Sequence, residues 1–177
     1  FGIPILQKTE CNSKDVQYLI LSPTRELCLQ IADDLIDLSK YKQVKIAAVF
    51  GGASIEHQIR IIKQGVHIIS ATPGRLLDLI NRKVVNISKI KAVVLDEADE
   101  MLNMGFRDEL DAILSTTPKE KNTYLFSATM PKEVVAIAEK FQKNPVEITI
   151  GRKNAGAENV NHLAYFVQAR DRYLALK

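Results

Sequence analysis

Long apolar runs are missing from this sequence. A helix that crosses a membrane needs about 18 or more apolar residues without charges, and no window of the 177 residues approaches that composition. The amino end, residues 1–4, also lacks the basic region with which a secretory signal begins. We therefore expect a cytoplasmic protein, with the nucleus as the alternative, that has no membrane span.

Cysteine is also scarce, and the net charge is small. The two cysteines, Cys11 and Cys28, have no second pair to complete a zinc site, so reduced thiols are expected. A net charge of +3 is too small to indicate a polyanionic partner, although it permits one where basic residues gather on one face. Composition thus argues against a membrane protein or a zinc protein and leaves function to be read from local motifs.

Short apolar strands alternate with amphipathic helices along the chain. The content of 46% hydrophobic and 25% charged residues is typical of a globular protein, and the length predicts about one domain. Six β-branched runs predict strands at residues 16–21, 44–50, 66–69, 92–95, 123–126 and 146–150. Apolar residues at steps of three and four predict helices at residues 25–39, 54–64 and 134–141. Because parallel strands need crossover helices, this pattern predicts an α/β fold whose mostly parallel sheet has helices on both faces.

Polar turns follow the predicted strands, at the edge where α/β proteins bind their ligands. The turns after the first and third strands run into helices and carry a hydroxyl group and an arginine, which together could hold a phosphate. The turn after the second strand starts with two glycines, which allow a sugar-phosphate backbone to approach closely. Such contacts read the backbone of a nucleic acid rather than its bases. Taken alone, each turn is explained as well or better by a helix cap or an ordinary turn. The residues concerned are Thr24, Arg25, Gly51, Gly52, Thr72, Gly74 and Arg75.

Asp96-Glu97-Ala98-Asp99 follows the fourth predicted strand and places carboxylates at the same edge. A hydrated Mg²⁺ carrying nucleotide phosphates would relieve the repulsion between these side chains. The acidic first turn of a solvated helix is the alternative, whereas an EF-hand is excluded because Met101 stands where that loop requires glycine. Ser127 and Thr129 end the fifth predicted strand, and a helix cap is their alternative interpretation.

Five motifs, in this order, closely resemble the first RecA-like domain of DEAD-box ATP-dependent RNA helicases. They are residues 23–27 (Pro-Thr-Arg-Glu-Leu), 51–52 (Gly-Gly), 72–75 (Thr-Pro-Gly-Arg), 96–99 (Asp-Glu-Ala-Asp) and 127–129 (Ser-Ala-Thr). The resemblance extends through essentially all of the chain and implies a RecA-like P-loop NTPase fold that is truncated at its amino end. It also implies ATP and Mg²⁺ as cofactors, RNA as a partner, and ATP-dependent unwinding by the intact protein.

The resemblance further implies roles for the site residues. Asp96 is expected to hold the Mg²⁺ of ATP through water, and Glu97 to orient and help deprotonate the water that attacks the γ-phosphate. Asp99 is expected to bond to Ser127 and Thr129, which ties the nucleotide site to an RNA groove. The positions expected to line that groove are Thr24, Arg25, Gly51, Gly52, Thr72, Gly74 and Arg75. They would bind and bend one RNA strand without reading its sequence.

Two parts of such a protein are not found in these 177 residues. No Gly-x-x-x-x-Gly-Lys-Ser/Thr phosphate loop occurs, and residues 1–6 resemble the remainder of the helix that this loop opens. Residues 151–160 have the composition of a linker, and residues 161–177 resemble the start of a second RecA-like domain that would be the partner of residues 1–150. We therefore expect these residues alone to be inactive in ATP hydrolysis and unwinding, and the protein to be a monomer.

A nonenzymatic RNA-binding or scaffold domain that has lost its ATPase activity is the alternative function. Glu97 argues against it, because a domain without catalysis has no need for a carboxylate that activates water. A related helicase acting on DNA is less favoured, because its acidic tetrad usually differs.

Overall fold

The computed structural model describes residues 1–150 and 163–176, and helices separate its five strands along the chain. The strands are β1 (Tyr18–Leu21), β2 (Ile46–Val49), β3 (Ile68–Ala71), β4 (Ala92–Leu95) and β5 (Asn122–Leu125). The helices are α1 (Gly2–Lys8), α2 (Arg25–Leu38), α3 (Ile55–Lys63), α4 (Pro73–Asn81), α5 (Ala98–Asn103), α6 (Arg107–Thr116), α7 (Lys132–Phe141) and α8 (Arg172–Leu176), the last preceded by a 3₁₀ turn at Ala169–Asp171. The first five predicted strands and the three predicted helices are confirmed, with ends that shift by no more than two residues.

The five strands form one parallel sheet in the order β2-β3-β1-β4-β5. Leu21, the last residue of β1, is in register with Ala71 of β3 and with Leu95 of β4. The carboxyl ends of the central strands are therefore level, and the turns that follow them emerge side by side. This arrangement confirms the predicted parallel sheet. A ligand is expected at the carboxyl ends of the strands, and this side of the sheet is the edge to which the site residues are assigned below.

Side chains of the central strands alternate between two hydrophobic cores. Every position of β1, β3 and β4 is buried. Leu19 and Leu21 belong to the larger core, which α3 to α7 cover, whereas Tyr18 and Ile20 belong to the smaller core, which α1 and α2 cover. Because successive side chains of a strand point to opposite faces, helices cover both faces of the sheet, as predicted. Each buried side chain of leucine size contributes about 1.5–3 kcal/mol, so the sheet is a firm support for the turns.

The lateral edge of the sheet, formed by the outermost strand β5, is more open than the centre of the sheet. Tyr124 and Phe126 are 43% and 42% exposed, and no strand in the described ranges pairs with the outer edge of β5. The two rings line a groove of about 600 Å³ together with Phe1, Ile5 and Lys91. Burial at this edge is therefore partial, in contrast to the fully buried strands beside it.

The predicted strand at residues 146–150 is wrong. Apolar and polar residues alternate there, but Val146 and Ile150 are 86% and 96% exposed, and the segment pairs with no strand in the part of the chain that is described. Alternation identifies a segment that is able to join a sheet. Whether such a segment pairs depends on contacts with strands that are distant in the sequence, which the local pattern does not report.

The predicted linker at residues 151–160 lies outside the described residues, so the boundary between domains stays a prediction. Residues 163–167, within the predicted start of a second domain, form no strand. None of the helices in the described residues is long and apolar enough to span a membrane.

Candidate functional site

Asp96 leaves β4 at the edge where the turns gather. Its N–H donates to the Leu21 carbonyl oxygen at 2.9 Å, one residue beyond the paired strands. Burial raises the pKa of Asp96 above its ordinary value, and the backbone N–H of Glu97 acts in the opposite direction. A partly desolvated carboxylate gains from a nearby cation, and carboxylate oxygen is a donor that Mg²⁺ prefers. Asp96 therefore fits a hydrated Mg²⁺.

Glu97 has an unusual backbone conformation directly after Asp96. Its φ of 51° and ψ of 53° lie in the left-handed region, which costs a non-glycine residue about 1–3 kcal/mol. Glu97 occupies the N-cap position of α5, but its side chain makes no capping hydrogen bond and is exposed. The Glu97 carboxylate is therefore open to solvent at the start of α5, where the carboxyl ends of the strands meet.

The Asp99 carboxylate is held by the turn after β5. Its Oδ2 accepts hydrogen bonds from the Thr129 N–H at 2.9 Å and from the Thr129 hydroxyl at 2.6 Å. The Asp99 N–H donates to Ser127 Oγ at 3.2 Å, and that hydroxyl donates to the Thr129 carbonyl oxygen at 2.7 Å. Burial acts to raise the pKa of Asp99, but hydrogen bonds, led by that of the Thr129 hydroxyl, outweigh it and lower the pKa.

These contacts also decide how Ser127 and Thr129 are used. Pro131 is the N-cap of α7, and no side chain caps that helix start. The two hydroxyl groups bond within the Asp99 network instead. The structure therefore does not support the interpretation of Ser127 and Thr129 as caps of α7.

Thr24 and Arg25 begin α2, directly beyond β1. Thr24 Oγ1 accepts a hydrogen bond from the Leu27 N–H at 3.2 Å, so Thr24 is a helix N-cap. Arg25 is exposed, and its guanidinium carbon lies 4.9 Å from the centre of the Phe50 ring, which is a cation–π geometry. Arg25 is therefore positioned against the turn that follows β2 rather than being solvated alone.

The glycines of the site leave main chain uncovered. Gly51, Gly52 and Gly74 are exposed, and a Cβ atom placed on any of them would meet no atom within 4 Å. Gly52 has a φ of 77°, which only glycine adopts without strain. Open main chain beside the starts of α3 and α4 suits the close approach of a phosphate group.

Arg75 is held from α3. Its Nη1 donates to the Ala53 carbonyl oxygen and to Gln58 Oε1, each at 3.2 Å. Thr72, the N-cap of α4, makes no side-chain capping bond. Sequence reasoning missed Gln58, which is buried on the helix face that also carries Ile62. A polar residue inside an apolar helical stripe was the signal that could have found it.

The structure brings the predicted site residues into two groups at one edge of the sheet. The first, named here the acid cluster, consists of Asp96, Glu97, Asp99, Ser127 and Thr129. The second, named the three-turn surface, consists of Thr24, Arg25, Gly51, Gly52, Thr72, Gly74 and Arg75. Within residues 1–150 and 163–176, no group of three or more His, Cys, Asp or Glu side chains is arranged to hold a metal ion directly.

A parallel sheet with helices on both faces, an acidic turn after the central strand β4, and turns with glycine or arginine after β1, β2 and β3 are the features of a RecA-like domain of the helicase class. The sequence model of the DEAD/DEAH box helicase family matches residues 1–137. The chain belongs to this family.

Individual relatives agree with that assignment. The chain is 43% identical to the DEAD-box ATP-dependent RNA helicase CshA of Bacillus cereus, over 98% of its own length and 33% of the relative. It is also 43% identical to CshA of Streptococcus pneumoniae, over 97% of the chain and 32% of the relative. The crystal structure of a DEAD box protein from the hyperthermophile Methanococcus jannaschii superposes with a TM-score of 0.78 and 44% identity, over 81% of this chain and 39% of the other. The chain thus spans about a third of the length of these curated relatives.

Proposed function

We propose that this chain supplies part of the ATP site and part of the RNA-binding surface of an ATP-dependent RNA helicase. The observation that carries the proposal is the Asp99 network, which joins the Asp96-Glu97 turn to Ser127 and Thr129 at the sheet edge that also holds the three-turn surface. Hydrolysis and unwinding are proposed for the full-length protein, because the chain covers about a third of its relatives.

Asp96 and Glu97 would divide the chemistry of ATP hydrolysis. Asp96 would hold the Mg²⁺ of ATP through water, and its partial burial strengthens the attraction between carboxylate and cation. The bound ion supplies charge neutralisation at the phosphates. Glu97 would orient the attacking water and accept its proton, a role that suits an exposed carboxylate fixed by an unusual backbone conformation. This strain has no evident purpose in a scaffold domain without catalysis.

Asp99 would connect the nucleotide site to RNA. Its helix α5 begins at the acidic turn, and its carboxylate is held by Thr129 from the turn that follows β5. A movement of residues 127–129 would pull on Asp99 and change the position of Glu97, two residues earlier in the chain. Energetic coupling of this kind needs a connected set of contacts with two arrangements, and the Asp99 network is the proposed connection.

The three-turn surface would bind the backbone of one RNA strand. Helices α2, α3 and α4 all begin there, and the N-terminal N–H groups of a helix favour phosphate. Arg25 and Arg75 add positive charge, and the uncovered glycines give room for the ribose-phosphate chain. Binding through phosphates and main chain is independent of base sequence.

The test of this function is the substitution Glu97→Gln in the full-length protein. We expect RNA-stimulated ATP hydrolysis to fall by about 100-fold or more, since a positioned general base contributes about 10²–10⁴-fold. ATP and RNA affinities should change by less than about threefold, because the lost interaction acts in the transition state. Glu100→Gln is the matched control, because Glu100 is an exposed carboxylate on the same helix.

The outcomes separate the two functional hypotheses. Turnover that is unchanged in Glu97→Gln would remove Glu97 from its proposed role. A full-length protein that binds RNA but shows no RNA-stimulated ATP hydrolysis would support the nonenzymatic alternative. Equal loss of turnover in Glu100→Gln would assign the effect to general acidity of the helix start.

A further inference from the structure

One buried amide group links two of the three turns. Gln58 of α3 is only 5% exposed. Its Nε2 donates to the Phe50 carbonyl oxygen at 3.0 Å, at the end of β2, and its Oε1 accepts from Arg75 Nη1 at 3.2 Å, at the start of α4. Both ends of the side chain are therefore used, and each end contacts a different turn.

The third turn is connected through Phe50. Phe50 is only 8% exposed, and its ring lies under the guanidinium of Arg25, at the start of α2. The residue whose carbonyl oxygen Gln58 fixes is thus the one against which Arg25 rests. Arg75 also donates to the Ala53 carbonyl oxygen at 3.2 Å, on the far side of the two glycines.

We propose that Gln58 is a positioning residue for RNA binding: it orients the Arg75 guanidinium and the residue 50–53 turn so that Arg25, the glycines and Arg75 meet one RNA backbone together. This inference rests on the proposed function of the three-turn surface and names a residue outside it. Only a side chain with both a donor and an acceptor makes the two contacts. Without them, Arg75 keeps its charge and its bond to the Ala53 carbonyl oxygen but loses one of the two acceptors that orient its guanidinium.

The experiment is a double-mutant cycle between Gln58 and Arg75 in the full-length protein. Gln58→Met fills a similar volume with neither hydrogen bond, and Arg75→Ala removes the guanidinium. Binding of a labelled single-stranded RNA of mixed sequence is measured across a series of salt concentrations, together with ATP affinity and the thermal unfolding midpoint. Gln64→Met is the matched control, because Gln64 is exposed at the end of the same helix.

If Gln58 acts through Arg75, Gln58→Met weakens RNA binding by about tenfold and lowers the magnitude of the salt slope by about 0.7, the value for one lost phosphate contact on a single strand. In the Arg75→Ala background the same change has little further effect on RNA affinity, because residues that act through one another are not additive. ATP affinity and the Gln64→Met control stay unchanged.

A purely structural role gives a different result. Additive losses in the cycle, or a fall in the unfolding midpoint with RNA affinity and salt slope unchanged, would overturn the inference. If Gln58→Met does not fold, the cycle is repeated with Gln58→Asn, which keeps an uncharged amide but is one methylene too short to contact both the Phe50 carbonyl oxygen and Arg75. Coupling to Arg75 in that cycle supports the inference, and additivity refutes it. If Arg75→Ala alone leaves RNA affinity unchanged, the RNA-binding part of the proposed function fails as well.

Discussion

The acid cluster and the three-turn surface lie at the same sheet edge but are built differently. In the acid cluster, Asp99 is fixed by short direct bonds of 2.6 and 2.9 Å from Thr129, and Glu97 is held in a left-handed conformation. In the three-turn surface, Gly52 and Gly74 leave main chain open, and the arginines are held from behind by Phe50 and Gln58.

The difference matches what each region is proposed to bind. Phosphoryl transfer depends on a few groups placed in advance, because catalysis there is mostly positioning and electrostatic stabilisation. An RNA backbone is a long repeated ligand, so its site gains from open main chain and distributed charge. One region should therefore respond sharply to single substitutions, and the other in smaller steps.

Apart from Glu97→Gln, the largest effect is expected from Asp99→Asn in the full-length protein. Both bonds from Thr129 fall on the single atom Oδ2, so an amide oxygen there accepts them without the negative charge that strengthens them. We expect RNA-stimulated ATP turnover to fall by about 100-fold, with a smaller change in ATP affinity. The exposed Asp108 of α6 provides the control Asp108→Asn. Normal stimulation by RNA in Asp99→Asn would show that the Asp99 network does not couple the two regions.

A smaller effect is expected from Arg75→Ala on RNA binding. The loss of one guanidinium should raise the RNA Kd by about tenfold and reduce its dependence on salt by about one phosphate contact. Because the contact is to the backbone, RNAs of different sequence should be affected equally. Arg60→Ala, on the exposed side of α3, is the control. A loss confined to particular base sequences would contradict backbone recognition.

A still smaller effect, on the free energy of unfolding, is expected from replacing two neighbouring glycines by alanine. Gly52→Ala introduces a side chain at a φ of 77° and should lower the free energy of unfolding by about 1 kcal/mol. Gly51→Ala meets no atom within 4 Å and lies outside the left-handed region, so its stability should be nearly unchanged. Urea unfolding measures both. If both substitutions weaken RNA binding, the open main chain is used by the ligand; equal loss of stability would instead refute the conformational argument for Gly52.

The sequence predicts the frame of the molecule and the identity of most site residues. Apolar runs such as residues 92–95 locate the buried strands, and the order of short motifs after them locates the site edge. These features are visible because each depends on neighbours within a few positions. Strand 146–150 fails for the opposite reason, since its pairing depends on a backbone edge elsewhere in space.

Features that depend on distant contacts are not visible in the sequence. Neither the left-handed conformation of Glu97 nor the contact of Gln58 with Arg75, 17 positions away, follows from composition or periodicity. Thr24 shows that one residue can have a local structural role as well as the proposed role in RNA binding, because its side chain caps α2, as helix statistics predict. Motifs therefore identify the residues, and only the fold shows how each is held.

The smallest effects are expected on thermal stability. There, the opposite pKa shifts of Asp96 and Asp99 predict opposite results for two carboxylates of the acid cluster. Hydrogen bonds outweigh burial and lower the pKa of Asp99, so its contribution to stability is present above the ordinary Asp range and is lost as the pH falls through the lowered value. Burial raises the pKa of Asp96, so its contribution is present at low pH and is lost as the pH rises through the raised value. At neutral pH, Asp99→Asn should therefore lower the thermal unfolding midpoint, whereas Asp96→Asn should raise it slightly by removing a partly desolvated charge. If the unfolding midpoint shifts in the same direction in both variants, this assignment is contradicted. The assignment requires Asp99 to be stabilised by hydrogen-bond donors and Asp96 to be partly desolvated without them, as suits a carboxylate that binds a cation.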